Sequence, residues 1–425
     1  MPLKSRILDT TSKGLVQSQL LRKLLGLYGI QAANILFPLL TLPYLSRVLG
    51  PESFGLYATG YALSLFLQNL LEYGLSLSGT REVSKHRNER EVLAELLASA
   101  LTARFLLVIP AAFLGMLAYF SLPTLKGQAV LTLVAFAWAF AFSLNPTWFF
   151  LGLERVRMVA LLEVAPRIVS TLGIFLFVKG PNHAYLPLLL NALATLLISA
   201  IGFLVLRKQI SVRLSSPAQG ITLLRQGFPL FLFRIAAGLQ ATAGVFILGL
   251  FAPSAQVGLY AAVDRLVKPL TVAWEPFNRL FSARLAYLAK TNPSGGNALG
   301  RQVFGAMVGL SVLGAVLINL AAPSLVHLFL GSEYAEGVGI MRILSIILPL
   351  SAVSHFLGAQ WMLPHGMDRA LAGIALFAVV FTVIMGSLFT YFLGALGMAW
   401  AEVLAMALAA SARLTYLARV KRLPW

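Results

Sequence analysis

The chain of 425 residues contains no cysteine, which removes disulfides, thiol catalysis and thiolate metal sites together. Charge is also scarce. Only 11% of the residues are charged and only 15 are Asp or Glu, whereas a soluble domain carries about a quarter charged residues. An ordinary soluble fold is excluded on that ground. Histidine is limited to five: His355 lies inside an apolar run and reads as a hydrogen-bonded core residue, while the other four lie at or near loops. The catalytic signatures are missing too, with no Walker phosphate loop, no HExxH, no Gly-x-Ser-x-Gly elbow and no paired loop carboxylates. No catalytic site, cofactor or metal is expected. Residues 1–23 are polar and basic and lead straight into a run of full membrane-span length, so a cleavable signal peptide is not expected.

What is present is apolar: 59% of the chain, in blocks of about 18–25 residues that cross a hydrocarbon core of roughly 30 Å at 1.5 Å per residue. The pattern predicts twelve spans, at 24–46, 55–78, 96–120, 128–150, 159–178, 185–206, 228–250, 258–280, 302–321, 341–362, 371–391 and 394–417. Backbone groups in lipid must pair within each span, so the class is all-α and polytopic. An internal repeat accompanies the spans. Gly55-Leu56-Tyr57-Ala58 returns as Gly258-Leu259-Tyr260-Ala261, with Leu63 matched to Leu266 in the same register. An offset near half the chain implies two related halves, the organisation common in transporters whose bundles rock about a shared site. The expected division is 1–208, a linker at 209–227 and 228–425. Within that linker Ser216 is expected to cap a helix with Pro217 at its first position. Residues 220–225 read either as a surface-lying amphipathic turn or as a plain loop.

The net charge of +18 is distributed by side of the membrane rather than along one face. About 24 of the 33 Lys and Arg fall in segments on the side of the two termini, and the outer loops hold about four. This places both termini in the cytoplasm and argues against nucleic acid as a partner. The informative charges are those inside spans. Arg104, Arg167 and Arg234 lie about six to eight residues into spans three, five and seven, roughly 9–12 Å deep. They either snorkel outward or line a shared cationic vestibule. Span eight carries Asp264, Arg265 and Lys268, with Lys268 near the bilayer centre, where a charge costs about 2.5–3.5 kcal/mol on insertion scales. Asp264 and Lys268 are one turn apart and can pair, which leaves Arg265 without a local partner. Glu163 and Arg167 share the same spacing; Glu72 and Glu402 have no evident partner. The surplus of cations favours an anionic substrate such as a phosphate or diphosphate. Asp264 and Glu163 are candidates to carry a coupling proton or sodium ion.

Several motifs carry a family resemblance. Pro43-Tyr44-Leu45-Ser46-Arg47-Val48-Leu49-Gly50-Pro51, Ser78-Gly79-Thr80-Arg81-Glu82-Val83, Asn145-Pro146-Thr147-Trp148-Phe149-Phe150-Leu151-Gly152 and Gly358-Ala359-Gln360-Trp361-Met362-Leu363-Pro364 resemble the Wzx-type O-antigen and polysaccharide flippases across nearly the whole chain. The resemblance implies the multidrug/oligosaccharidyl-lipid/polysaccharide exporter fold: two six-helix lobes related by a pseudo-twofold repeat, in the bacterial inner membrane. It implies a polyprenyl-diphosphate-linked oligosaccharide as cargo, alternating access, and Arg104, Arg167, Arg234, Arg265 and Lys268 as contacts to the anionic head. A polysaccharide polymerase and a chain-length regulator are the implied protein partners, with membrane lipids around the chain. Phe233 stands where relatives often have Ser. The competing readings are a multidrug or organic-ion exporter of the same fold and a membrane-embedded polymerase or ligase; the latter needs a basic outer loop that is missing here.

Overall fold

The computed structural model describes the backbone of residues 3–271, 281–282, 284–285, 287–288, 291–420 and 423. Side chains are described from Gly29 onward, apart from 229–230, 233, 236–237, 239–241 and 293 within that backbone. The side chain of Phe233 and the end of the predicted eighth span, 272–280, therefore lie outside the described residues.

Among the described residues the regular structure is entirely helical. In chain order the α-helices are α1 (Leu3–Glu72), α2 (Leu75–Lys85), α3 (Arg90–Ser121), α4 (Ala129–Leu144), α5 (Thr147–Gly152), α6 (Val156–Phe177) and α7 (Leu186–Arg207). They continue as α8 (Pro217–Phe251), α9 (Ser254–Thr271), α10 (Pro293–Phe329), α11 (Gly337–Ser345), α12 (Ile347–His355) and α13 (Asp368–Arg419), with a π-helical turn at Phe356–Met362. Among the described residues eight helical stretches are long and apolar enough to cross a membrane. Two of them, within α1 and α13, are pairs of helices joined at a glycine. Gly50 takes φ 68° and ψ 169°; it precedes Pro51, which disfavours helix at that position, and glycine alone enters the left-handed region freely. Gly394 does the same between the two segments of α13, with φ 58° and ψ −134°.

Some predicted boundaries move. The second span was expected to reach 78, but Tyr73 and Gly74 both have positive φ, and the helix stops at Glu72 before α2 leaves in a new direction. Ser216 caps α8 through a reciprocal box with Gln219, as its position before Pro217 predicts. The helix that starts there then runs unbroken to Phe251, with no separate surface turn at 220–225. Pro38, Pro43, Pro110 and Pro166 sit inside continuous helices, where neighbouring segments tolerate the missing N–H.

Residues from both halves build the largest buried cluster, which includes Leu45, Phe54 and Leu67 of α1 and Val257, Tyr260 and Val263 of α9. The repeated glycines sit at its seam. A Cβ on Gly55 would lie 1.8 Å from the carbonyl oxygen of Ser254, and one on Gly258 would lie 1.9 Å from that of Pro51. The two copies of the repeat thus touch backbone to backbone near the Gly50 break. Beside them Arg47 donates to the Leu328 carbonyl at 2.6 Å and the Tyr334 hydroxyl donates to that of Ser46 at 3.3 Å. At the opposite end, marked by Lys85, α8 rests on α1 and α3. Tyr73 stacks on Phe231 at 4.2 Å and 9°, and the Thr102 hydroxyl exchanges hydrogen bonds with the Ser215 backbone at 2.9 and 3.2 Å.

Candidate functional site

The candidate residues fall into three groups of side-chain contacts, the first two adjoining through Arg265 and Asp264. The first lies across the seam between the halves. Phe54, Tyr57 and Tyr61 follow each other at helical spacing on α1 and present one aromatic face. Arg265 of α9 lies over all three, 5.4, 4.8 and 4.4 Å from the ring centroids. Tyr61 also leans on Trp138 at 5.4 Å and is within electrostatic reach of Arg167. Desolvated cation–π contacts are worth about 2 kcal/mol, which offsets the cost of keeping a guanidinium among apolar helices. Among the described residues no carboxylate lies within ion-pair distance of Arg265, although Asp264 is within its electrostatic reach and Tyr57 within hydrogen-bonding reach.

In the second group Lys268 is shared by two acids. Its Nζ is 2.9 Å from Asp264 Oδ1 and 3.1 Å from Glu402 Oε1. The i, i+4 pair expected within span eight is present, but it is one arm of a triad whose third member comes from α13, 134 residues away. Lys268 and Glu402 also face a cavity of about 530 Å³ in the second half, together with Ser351, His355, Thr382 and Arg413.

The third group surrounds Glu72. Arg234 pairs with it across the seam, and Arg104 is within its electrostatic reach. Arg104 is only 1% exposed and lies 5.5 Å from the Trp148 ring centroid, with Nε and Nη1 unpartnered among the described residues. It is too enclosed to snorkel. Arg167 bends instead to the main-chain carbonyl of Glu163; among the described residues the expected ion pair between their side chains does not form.

Sequence reasoning missed the acidic partners and the aromatic face. Glu72 and Glu402 stood out as unpaired acids inside spans, which is a signal that a partner exists, but the partners are 162 and 134 residues distant. The spacing of Phe54, Tyr57 and Tyr61 was visible and is read as a ladder only once Arg265 is placed on it. Among the described residues no cluster of His, Asp and Glu is suited to a metal.

Kinked apolar helices, two halves meeting at repeated glycines and charges held in the seam define the architecture of a membrane transporter. Solved structures with this fold include a lipid II flippase, MurJ, in an inward closed conformation (TM-score 0.70, 12% identity, covering 94% of this chain and 87% of that one). Another is an inward-facing multidrug transporter of the MATE family in the MOP superfamily (TM-score 0.68, 17% identity, 91% and 94% covered). The chain itself belongs to the polysaccharide biosynthesis protein family, whose model matches residues 20–279. Two relatives carry the name "Putative O-antigen transporter". The one from Escherichia coli (strain K12) is 24% identical, covering 86% of this chain and 88% of its own length. The one from Shigella dysenteriae is 25% identical, with 89% and 94% covered.

Proposed function

We propose that the protein is a flippase that moves a polyprenyl-diphosphate-linked oligosaccharide repeat unit from the cytoplasmic to the periplasmic leaflet of a bacterial inner membrane by alternating access. The observation that carries this reading is Arg265, a cation at the seam of the two halves, cradled by aromatic rings and, among the described residues, with no carboxylate at ion-pair distance. Such a residue keeps its charge and fork of donors for an incoming diphosphate. Lys268, Arg104, Arg167 and Arg234 are further candidate contacts to the head group; in this state Arg234 is paired with Glu72, and Lys268 with Asp264 and Glu402. Asp264, as part of the triad, is the better placed of the two coupling candidates, because protonating it loosens one arm on Lys268. Glu163 is the other. The names of the relatives and the family support the saccharide cargo. A polymerase and a chain-length regulator would take the product on the far side.

The test is flipping of a defined polyprenyl-diphosphate oligosaccharide in liposomes, with and without a proton or sodium gradient. Arg265→Ala is expected to abolish flipping in protein that inserts at normal levels. Arg265→Lys restores part of it, since charge returns without the two-pronged geometry. Full activity in Arg265→Ala would remove the residue from the cargo path.

A further inference from the structure

At the Lys85 end of the first half, away from the seam, a cavity of about 410 Å³ opens between the start of α3, the α5–α6 junction and the end of α7. Arg87, Arg90 and Arg155 line it together with the side-chain amides of Asn88 and Gln209, and no acidic residue does. Its floor is apolar, made by Phe149 and Leu206 among others. Among the described residues only Arg87 of the three is ion-paired, to Glu154 at 3.2 Å. Arg90 and Arg155 have no such partner. Two helices also begin at this wall, α3 with Arg90 as its first residue and α6 with Arg155 as its N-cap, and neither has a side-chain cap. Their amide ends add positive potential on the same side as the guanidinium groups.

Positive charge at this end of a membrane protein is ordinary, but it usually takes the form of solvated single side chains. Three guanidinium groups that line one concave, half-apolar cavity, only one of them ion-paired among the described residues, make a different object. Arg forks match phosphate oxygens two at a time, and the apolar floor suits the glycerol and upper acyl carbons below a head group. The cavity sits at helix ends, the level of the lipid head groups.

We infer that this cavity is a binding site for a phosphate-bearing anion, filled in the membrane by the head group of an anionic phospholipid. The site is separate from the transport path, and the inference stands whether or not the flippase reading holds.

The test uses the purified full-length chain, stripped of lipid, with phosphatidylglycerol, phosphatidylcholine and pyrophosphate as probes. Lipid retention is read by native mass spectrometry and pyrophosphate binding by thermal shift. Wild type is expected to retain phosphatidylglycerol in preference to phosphatidylcholine. R90Q/R155Q should lose at least about tenfold in apparent affinity, since each charged hydrogen bond is worth about that factor or more. The control R301Q/R419Q removes two exposed cations far along the chain and should bind as wild type does. Saturable stabilisation by pyrophosphate that is lost in R90Q/R155Q, without selective lipid retention, assigns the site to a soluble diphosphate and supports the shared chemistry. Equal losses in the control and R90Q/R155Q, or wild-type binding of both probes by R90Q/R155Q, overturn the inference. Arg90 and Arg155 are exposed, so folding should survive; R155Q alone serves if the double variant melts early without probe.

Discussion

Lys268 shows how a single residue can be legible and still be misread. Its depth and its neighbour Asp264 are visible in the sequence, and together they suggest a closed pair that two substitutions would remove cleanly. The second acid, Glu402, changes that arithmetic. With two carboxylates on one ammonium, Lys268→Met leaves both stranded in a low-dielectric interior, whereas Asp264→Asn leaves Lys268 paired with Glu402. Breaking a buried pair from one side costs about 3–5 kcal/mol. Lys268 keeps 36% of its side chain accessible, so we expect roughly 2–4 kcal/mol for Lys268→Met. Asp264→Asn and Glu402→Gln should each cost clearly less. Combining Lys268→Met with Asp264→Asn recovers only part of the loss, because Glu402 stays behind. Thermal unfolding of the four variants in one detergent gives the order; a double variant as stable as wild type would show that Glu402 takes no part.

The elements carry their own lesson in the contact of α1 with α9. The repeat of Gly-Leu-Tyr-Ala marks two related halves, and periodicity makes the apolar spans plain, because lipid demands closed backbone and a fixed length. What a linear reading does not reveal is that the repeated glycines meet each other. Gly258→Ala sets a methyl carbon about where the Pro51 carbonyl oxygen already lies, and no rotamer relieves a clash with backbone. The helices must separate at the Gly50 end, at a cost of roughly 3 kcal/mol. A single cysteine at Ser254 should then react faster with a water-soluble maleimide in the Gly258→Ala background than without it. Unchanged labelling would mean that the seam relaxes elsewhere. The boundaries that shifted have equally local causes. Tyr73-Gly74 ends a helix by adopting positive φ, and α8 persists through 220–225 because its capping box starts a helix that nothing afterwards stops.

For the whole molecule, the halves meet at both ends, but by different means. At the Gly50 end the contact is tight backbone packing with carbonyl hydrogen bonds. At the Lys85 end it is an ion pair, a ring stack and a Thr–Ser exchange. A rocking transporter must trade one set against the other, and the two need only differ by a few kcal/mol for either state to be populated. The asymmetry of Lys and Arg predicts that the Lys85 end faces the cytoplasm. Reporter fusions after Arg213 and after Trp425 should therefore both read cytoplasmic; a periplasmic signal from either would undo the two-lobe arrangement. The all-helical fold class and the multi-pass membrane character were readable because they follow from composition and the length of the apolar runs. The grouping of the charges was not, since Arg104, Arg167 and Arg234 look alike by depth but meet a tryptophan face, a main-chain carbonyl and a carboxylate respectively.

The aromatic ladder beneath Arg265 has a consequence for how this stretch of sequence can change over generations. Three rings share one cation, so exchanging any single ring for another aromatic, or for an aliphatic of similar bulk, still leaves the charge on two faces. Drift at positions 54, 57 and 61 is buffered by redundancy. Position 265 differs, because any exchange there other than to lysine removes the cation that all three rings share.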